Sequence, residues 1–107
     1  ISIANPAVSH IYMAKGTYRI KTAVVLTRRL TLEADGSGTV TLDAGGQGFD
    51  VVRIRTLVSK PVKLLGLEIK GGWNGVRVDS GKATIQDCHI HNNTWEARGT
   101  PRNPGGP

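Results

Sequence analysis

A single cysteine, Cys88, leaves this chain without an internal disulfide and without the thiolate cluster that a structural metal site of about four ligands requires. Aromatic residues make up only 5% of the sequence, so any core must be built from aliphatic side chains. No apolar run approaches the roughly 18–20 residues that cross a bilayer as a helix, and the first residues lack the charged-then-apolar order of a secretory leader. The expectation is a soluble chain with no membrane span. Also missing is any stretch that sustains an apolar period of about 3.6 for long enough to make a helix. The chain opens on Ile1 and not on methionine, as expected of a sequence processed or excised from something longer.

Negative charge is scarce as well. Eight Asp and Glu stand against fourteen Lys and Arg, for a net charge of +6, and such a balance attracts acidic partners over long range. Acidic polysaccharide, nucleic acid, anionic lipid and acidic protein all qualify, and solubility alone is the plainer explanation. A length of 107 residues supports one modest core.

What the sequence does have is glycine, fourteen of them, punctuating short runs of strand-forming residues. Nine such runs are expected: Ile11 to Met13, Tyr18 to Ile20, Val24 to Leu26, Leu30 to Ala34, Thr39 to Leu42, Val51 to Ile54, Val62 to Ile69, Gly75 to Val78 and Ala83 to Ile90. Two of them repeat. Val62, Leu64, Leu67 and Ile69 recur 21 residues later as Ala83, Ile85, Cys88 and Ile90, with the same slip from even to odd positions between the second and third member. Inward positions of a strand alternate with period 2, so the slip marks an extra residue at a bend or bulge, and a bend shared by two copies implies stacked coils. A second register sets Leu32 to Gly36 and Val40 to Asp43 against Leu67 to Gly71 and Val76 to Asp79, with one residue inserted.

These residues resemble the pectate-lyase-like superfamily of right-handed parallel β-helices over roughly residues 10–93. The resemblance is carried by Ala14-Lys15-Gly16-Thr17-Tyr18 as an opening turn, by Leu30-Thr31-Leu32 with Asp35-Gly36, and by Thr39-Val40-Thr41-Leu42-Asp43. Leu64-Leu65-Gly66-Leu67-Glu68-Ile69 and Cys88-His89-Ile90-His91-Asn92-Asn93 are similar to successive coil strands. The resemblance implies an all-β solenoid of about three coils with three strands per coil, the rung after Asp43 lengthened by Ala44 to Asp50 and by Leu57 to Pro61. Hexapeptide spacing is absent, so a left-handed helix fits less well, and a small β-sandwich is the alternative fold. Residues 1–93 are assigned to the coils. Residues 94–107, rich in Pro and Gly, read as an irregular tail or linker in which Trp95 either caps the last coil or anchors a partner.

Stacked coils set equivalent side chains about 4.8 Å apart, and the 21-residue register puts Lys63 over Thr84, Glu68 over His89 and Lys70 over His91. Glu68, His89 and Lys70 are the candidates for chemistry: a carboxylate and an imidazole to move a proton, and a lysine to neutralise a substrate carboxylate. The competing reading is ordinary solvated rung surface. Calcium-dependent lyases of the superfamily gather several carboxylates on one face, whereas Asp79 and Asp87 are not obviously adjacent to Glu68, and the paired aspartates of its glycoside hydrolases are not recognisable. No catalytic residue is therefore assigned. Among His10, His89 and His91, the last two project from one face of a strand, and Glu68 would make a third ligand for zinc or copper; two imidazoles alone make a partial site, and neither metal nor cofactor is assigned. Asn92 and Asn93 are expected to satisfy backbone groups at a turn, Gly45-Gly46 and Gly71-Gly72 to be turn glycines, and Cys88 to be a small core residue.

Arg53, Arg55 and Arg77 alternate with Val and Ile and so point outward; with Lys60, Lys63, Lys70 and His91 they are expected to form a basic binding face. Nucleic acid ranks below protein as the partner, because only Trp73 and Trp95 could stack on bases. The functional expectation is a non-catalytic interaction or structural module, a small subunit or fragment of a larger assembly that binds a protein partner, or itself, through its basic face or its open sheet ends. The competing expectation, resting on the resemblance, is a fragment of a polysaccharide lyase or epimerase acting on an acidic polysaccharide.

Overall fold

A computed structural model describes residues 9–93. Within them lie eleven strands and no helix: β1 (His10–Met13), β2 (Gly16–Arg19), β3 (Val24–Leu26), β4 (Leu30–Ala34), β5 (Val40–Asp43), β6 (Val52–Arg55), β7 (Val62–Leu65), β8 (Leu67–Lys70), β9 (Val76–Ser80), β10 (Ala83–Gln86) and β11 (His89–Ile90). They form three sheets, ordered β1-β4-β7-β10, β2-β5-β8-β11 and β3-β6-β9. Every pairing is parallel. The chain visits the three sheets in rotation, so each coil adds one strand to each, and the result is a parallel β-solenoid of about three turns. The tail, with Trp95 as a cap or anchor, lies outside the described residues.

Nine expected runs become eleven strands because the two longest each turn a corner. Val62 to Ile69 breaks at Gly66, with φ of 72°, and Ala83 to Ile90 breaks at Asp87, with φ of 54°. The parity slip is this corner, where the chain leaves one sheet for the next. The 21-residue register survives intact: Ala83 lies against Val62, Ile85 against Leu64 and Ile90 against Ile69. The Cys88 thiol sits at the corner, accepting from the Leu67 N–H at 3.5 Å and donating to the Leu64 carbonyl at 3.3 Å.

The second register is not the one the chain adopts. Leu32 pairs with Leu64 and Val40 with Leu67, so the Leu32 to Gly36 segment and the Leu67 to Gly71 segment occupy different sheets. Their likeness reflects a shared strand-then-corner composition. The loops that separate true partners differ in length from coil to coil, which defeats any fixed offset.

Inward residues alternate with outward ones along each strand, and they close into one aliphatic column. Leu30, Leu32, Val40, Leu42, Val52, Ile54, Val62, Leu64, Leu67 and Ile69 are all at most 1% exposed. Burying each such side chain stabilises by roughly 1.5–3 kcal/mol. Corners are tight: a Cβ at Gly81, whose φ is 91°, would lie 2.8 Å from the Thr56 carbonyl oxygen, so only glycine fits there.

The two ends of the column differ. Met13 and Leu26 in the first coil are 2% exposed, whereas Val78, Ile85 and Ile90 in the last are 46%, 43% and 40% exposed. Those three stand directly above Ile54, Leu64 and Ile69, which are fully buried. The contrast sets a test of the stacking. Leu64→Ala is expected to cost about 2–5 kcal/mol in urea unfolding, and Ile85→Ala, one coil higher in the same column, a small fraction of that. Equal losses at the two positions would contradict the arrangement.

Candidate functional site

The sheet β2-β5-β8-β11 carries a polar column on its outer surface. Thr17, Thr41, Glu68 and His89 are successive in-register partners, each outward because Val40, Leu42, Leu67 and Ile69 beside them face in. Thr41 is buried, 6% exposed, and its hydroxyl donates to Glu68 Oε1. The other carboxylate oxygen, Oε2, is 2.7 Å from His91 Nε2. The ladder brings His91 there, its N–H donating to the Ile69 carbonyl at 3.1 Å. The His89 ring stacks on the His91 ring with centroids 4.1 Å apart and planes 22° from parallel.

Hydrogen bonds set the charge at this site. The Thr41 hydroxyl, and after it the His91 imidazole, hold the Glu68 carboxyl below the usual glutamate range, outweighing partial burial, and the positive charge of Lys70 acts in the same direction. Glu68 is therefore an anion at neutral pH. Glu68 faces His89 in the ladder as the sequence register requires, but its side chain bonds to His91. Asp87, which the sequence register does not obviously set beside Glu68, lines a shallow hollow of about 410 Å³ together with Glu68 and His89. The left-handed corner at Asp87 turns it there. Asn93 satisfies the turn as expected: its Oδ1 accepts from the Gly72 N–H at 2.9 Å, and its Nδ2 donates to the carbonyls of His91 and Ile69 at 2.9 and 3.2 Å. Asn92 takes the left-handed conformation, φ 54°.

Six of the seven basic candidates fall on three different faces, and the seventh, Lys60, lies in the corner loop before β7. Arg53 and Arg55 lie on β6 and Arg77 on β9 in one sheet, Lys63 on β7 in the second, and Lys70 with His91 beside the third. The three arginines surround one carboxylate. Asp79 accepts hydrogen bonds from Arg53 at 2.8 Å and Arg55 at 2.9 Å and is ion-paired with Arg77 at 2.9 Å, and the buried Asp50 lies 3.8 Å from Arg53 and 3.7 Å from Arg77. That network leaves one unit of net positive charge from five charged side chains, so Asp79 and Asp50 offset most of the charge the three arginines would otherwise present.

Two basic hollows at corners went unread in the sequence. Ser9, Arg28, Arg29 and Lys60 line one of about 430 Å³, where Arg29 also donates to the Ser59 carbonyl at 2.9 Å. Arg19, Lys21, Asp43 and Phe49 are among those lining another of about 620 Å³, beneath the long Ala44 to Asp50 loop. The length of that loop was the only signal for it. Among the described residues no helix is long and apolar enough to cross a membrane.

By its fold the chain falls into the class of parallel β-solenoids. Comparison with known protein families, curated proteins and solved structures finds no match.

The Asp79 network yields a pH test. Hydrogen bonds from Arg55, ahead of those from Arg53, and the charge of Arg77 keep the Asp79 carboxyl below the usual aspartate range. A depressed carboxylate contributes stability that is complete above its unfolded pKa of about 4 and is lost as pH falls through the lower folded value. Asp79→Asn is therefore expected to lower the melting temperature by a few degrees at neutral pH and low salt. The gap to wild type should close as the solution is acidified below pH ~4, and narrow at high salt.

Proposed function

We propose that the chain is a non-catalytic interaction module of the right-handed, pectate-lyase-like type, which binds by continuing its own stack. A partner's β-coil lies on β9, β10 and β11 as the next turn of the solenoid. The observation that carries this reading is the exposure of Val78, Ile85 and Ile90, which occupy positions that are fully buried one coil below. Each of the three strands is the edge of its sheet, so a row of backbone N–H and C=O groups goes with that apolar surface. An added strand would satisfy both at once, main-chain bonds giving affinity and the three aliphatic side chains giving register. The net charge of +6 favours an acidic partner during approach.

A second reading is favoured by one contact. Glu68 and His91 at 2.7 Å, with the charge of Lys70 acting on Glu68, supply a base and a neutralising cation for lyase or epimerase chemistry on an acidic polysaccharide. Unsaturated products from pectate or alginate, lost on Glu68→Gln, would select it over the binding module.

For the stacking reading, the second copy is the partner available to the isolated chain. Wild-type sedimentation and melting temperature are expected to rise with concentration, and Ile85→Lys combined with Ile90→Lys to remain monomeric at every concentration while keeping the β spectrum. A wild-type monomer whose melting temperature ignores concentration would overturn the proposal.

A further inference from the structure

Glu68, His89 and His91 meet at one point on the outer surface of the last two coils. One donor atom from each lies within 4.8 Å of both others. We propose that these three side chains bind a single divalent transition-metal ion of the borderline class, zinc foremost, with the remaining coordination positions open to water or to an incoming ligand. The donor set is two imidazoles and a carboxylate, which suits zinc, copper and nickel and is poor for calcium or magnesium, whose shells are made of oxygen.

Three features of the fold prepare the site. Cross-strand pairing sets Glu68 beside His89, and the alternation of the strand brings His91 onto the same face two residues on. The stacked rings project together, separated by 4.1 Å. Glu68 is fixed from behind, since the buried Thr41 hydroxyl donates to Oε1 and leaves Oε2 for the site. A carboxylate oriented in this way by a buried donor is the usual support for a metal ligand. Tetrahedral bonds of 2.0–2.1 Å need donors about 3.3 Å apart. Reaching that spacing asks Oε2 and His91 Nε2 to part slightly from 2.7 Å, and the exposed His89 ring to swing inward.

The remaining histidine provides an internal control. His10 bonds to Glu33 at 2.9 Å and stacks on Tyr12, with no third donor gathered around it among the described residues. The lone Cys88, close in sequence to the site, is bonded to the backbone at Leu67, Leu64 and Gln86.

The experiment titrates Co2+, and in competition Zn2+, into the full 107-residue chain at neutral pH, reading the visible absorption of bound cobalt and the melting temperature with zinc. The expected result is one ion per chain and a higher melting temperature. Affinity should fall at least ~10-fold on Glu68→Gln, His89→Ala or His91→Ala, and by about 10-fold on Thr41→Val, the scale of a lost supporting contact. His10→Ala and Cys88→Ser should bind as wild type. His89 is exposed, so its variant keeps the fold, and an unchanged β spectrum verifies this. Absence of a saturable cobalt band in the wild type, or equal affinity in a His89→Ala/His91→Ala double variant, overturns the proposal. Loss of binding in Cys88→Ser or His10→Ala overturns this ligand set too.

Discussion

The in-register parallel backbone ladder is the constraint on which the molecule depends. A strand such as β5 hydrogen-bonds to β2 on one side and β8 on the other, so its main chain is satisfied only if its neighbours keep step. Keeping step fixes the side chains as well. Each inward residue sits about 4.8 Å from its equivalent in the next coil, and the core is accordingly a set of aliphatic columns whose largest fully buried side chains are Leu, Ile and Val. The low aromatic content is consistent with so narrow an interior.

Outside the core the same rule stacks like on like, which is harmless for Thr17 and Thr41 and costly for charge. Arg53 lies directly against Arg77, a repulsive pairing. Asp79 and the buried Asp50 offset it by reaching between the guanidinium groups. At the corners the rule operates on backbone conformation. Gly66 and Asp87 share one corner position and Gly71 and Asn92 the next, all four with positive φ. The conformation belongs to the position in the coil, and Asp and Asn are the residues other than glycine that accept it at least cost.

Legibility in the sequence followed from this regularity and failed with it. Val62 to Ile69 and Ala83 to Ile90 were readable because the path joining them has no insertion, so one offset served both sheets. Leu32, Val40 and Val52 meet their partners at Leu64, Leu67 and Val76, three different separations, since the Ala44 to Asp50 and Leu57 to Pro61 loops lengthen some sides of the coil and spare others. The Glu68 and His89 pairing was legible for the same reason as the core register. Side-chain reach was not, so the bond from Glu68 to His91, the hydroxyl of Thr41 behind it and the arrival of Asp87 in the same hollow could be found only in three dimensions. Outward alternation identified Arg53, Arg55 and Arg77 correctly as surface residues, but carried no information about which of three faces a lysine elsewhere would occupy.

The unequal ends of the column have a consequence for symmetry. A parallel stack has a direction, and a face that exposes Val78, Ile85 and Ile90 is unlike the one that holds Met13 and Leu26 buried. Contacts that extend such a stack in parallel join dissimilar surfaces, head to tail, with no twofold axis to close them. An object assembled by that rule has no intrinsic size. Its length is set from outside, by a terminating surface that offers no further strand or by the number of coils supplied.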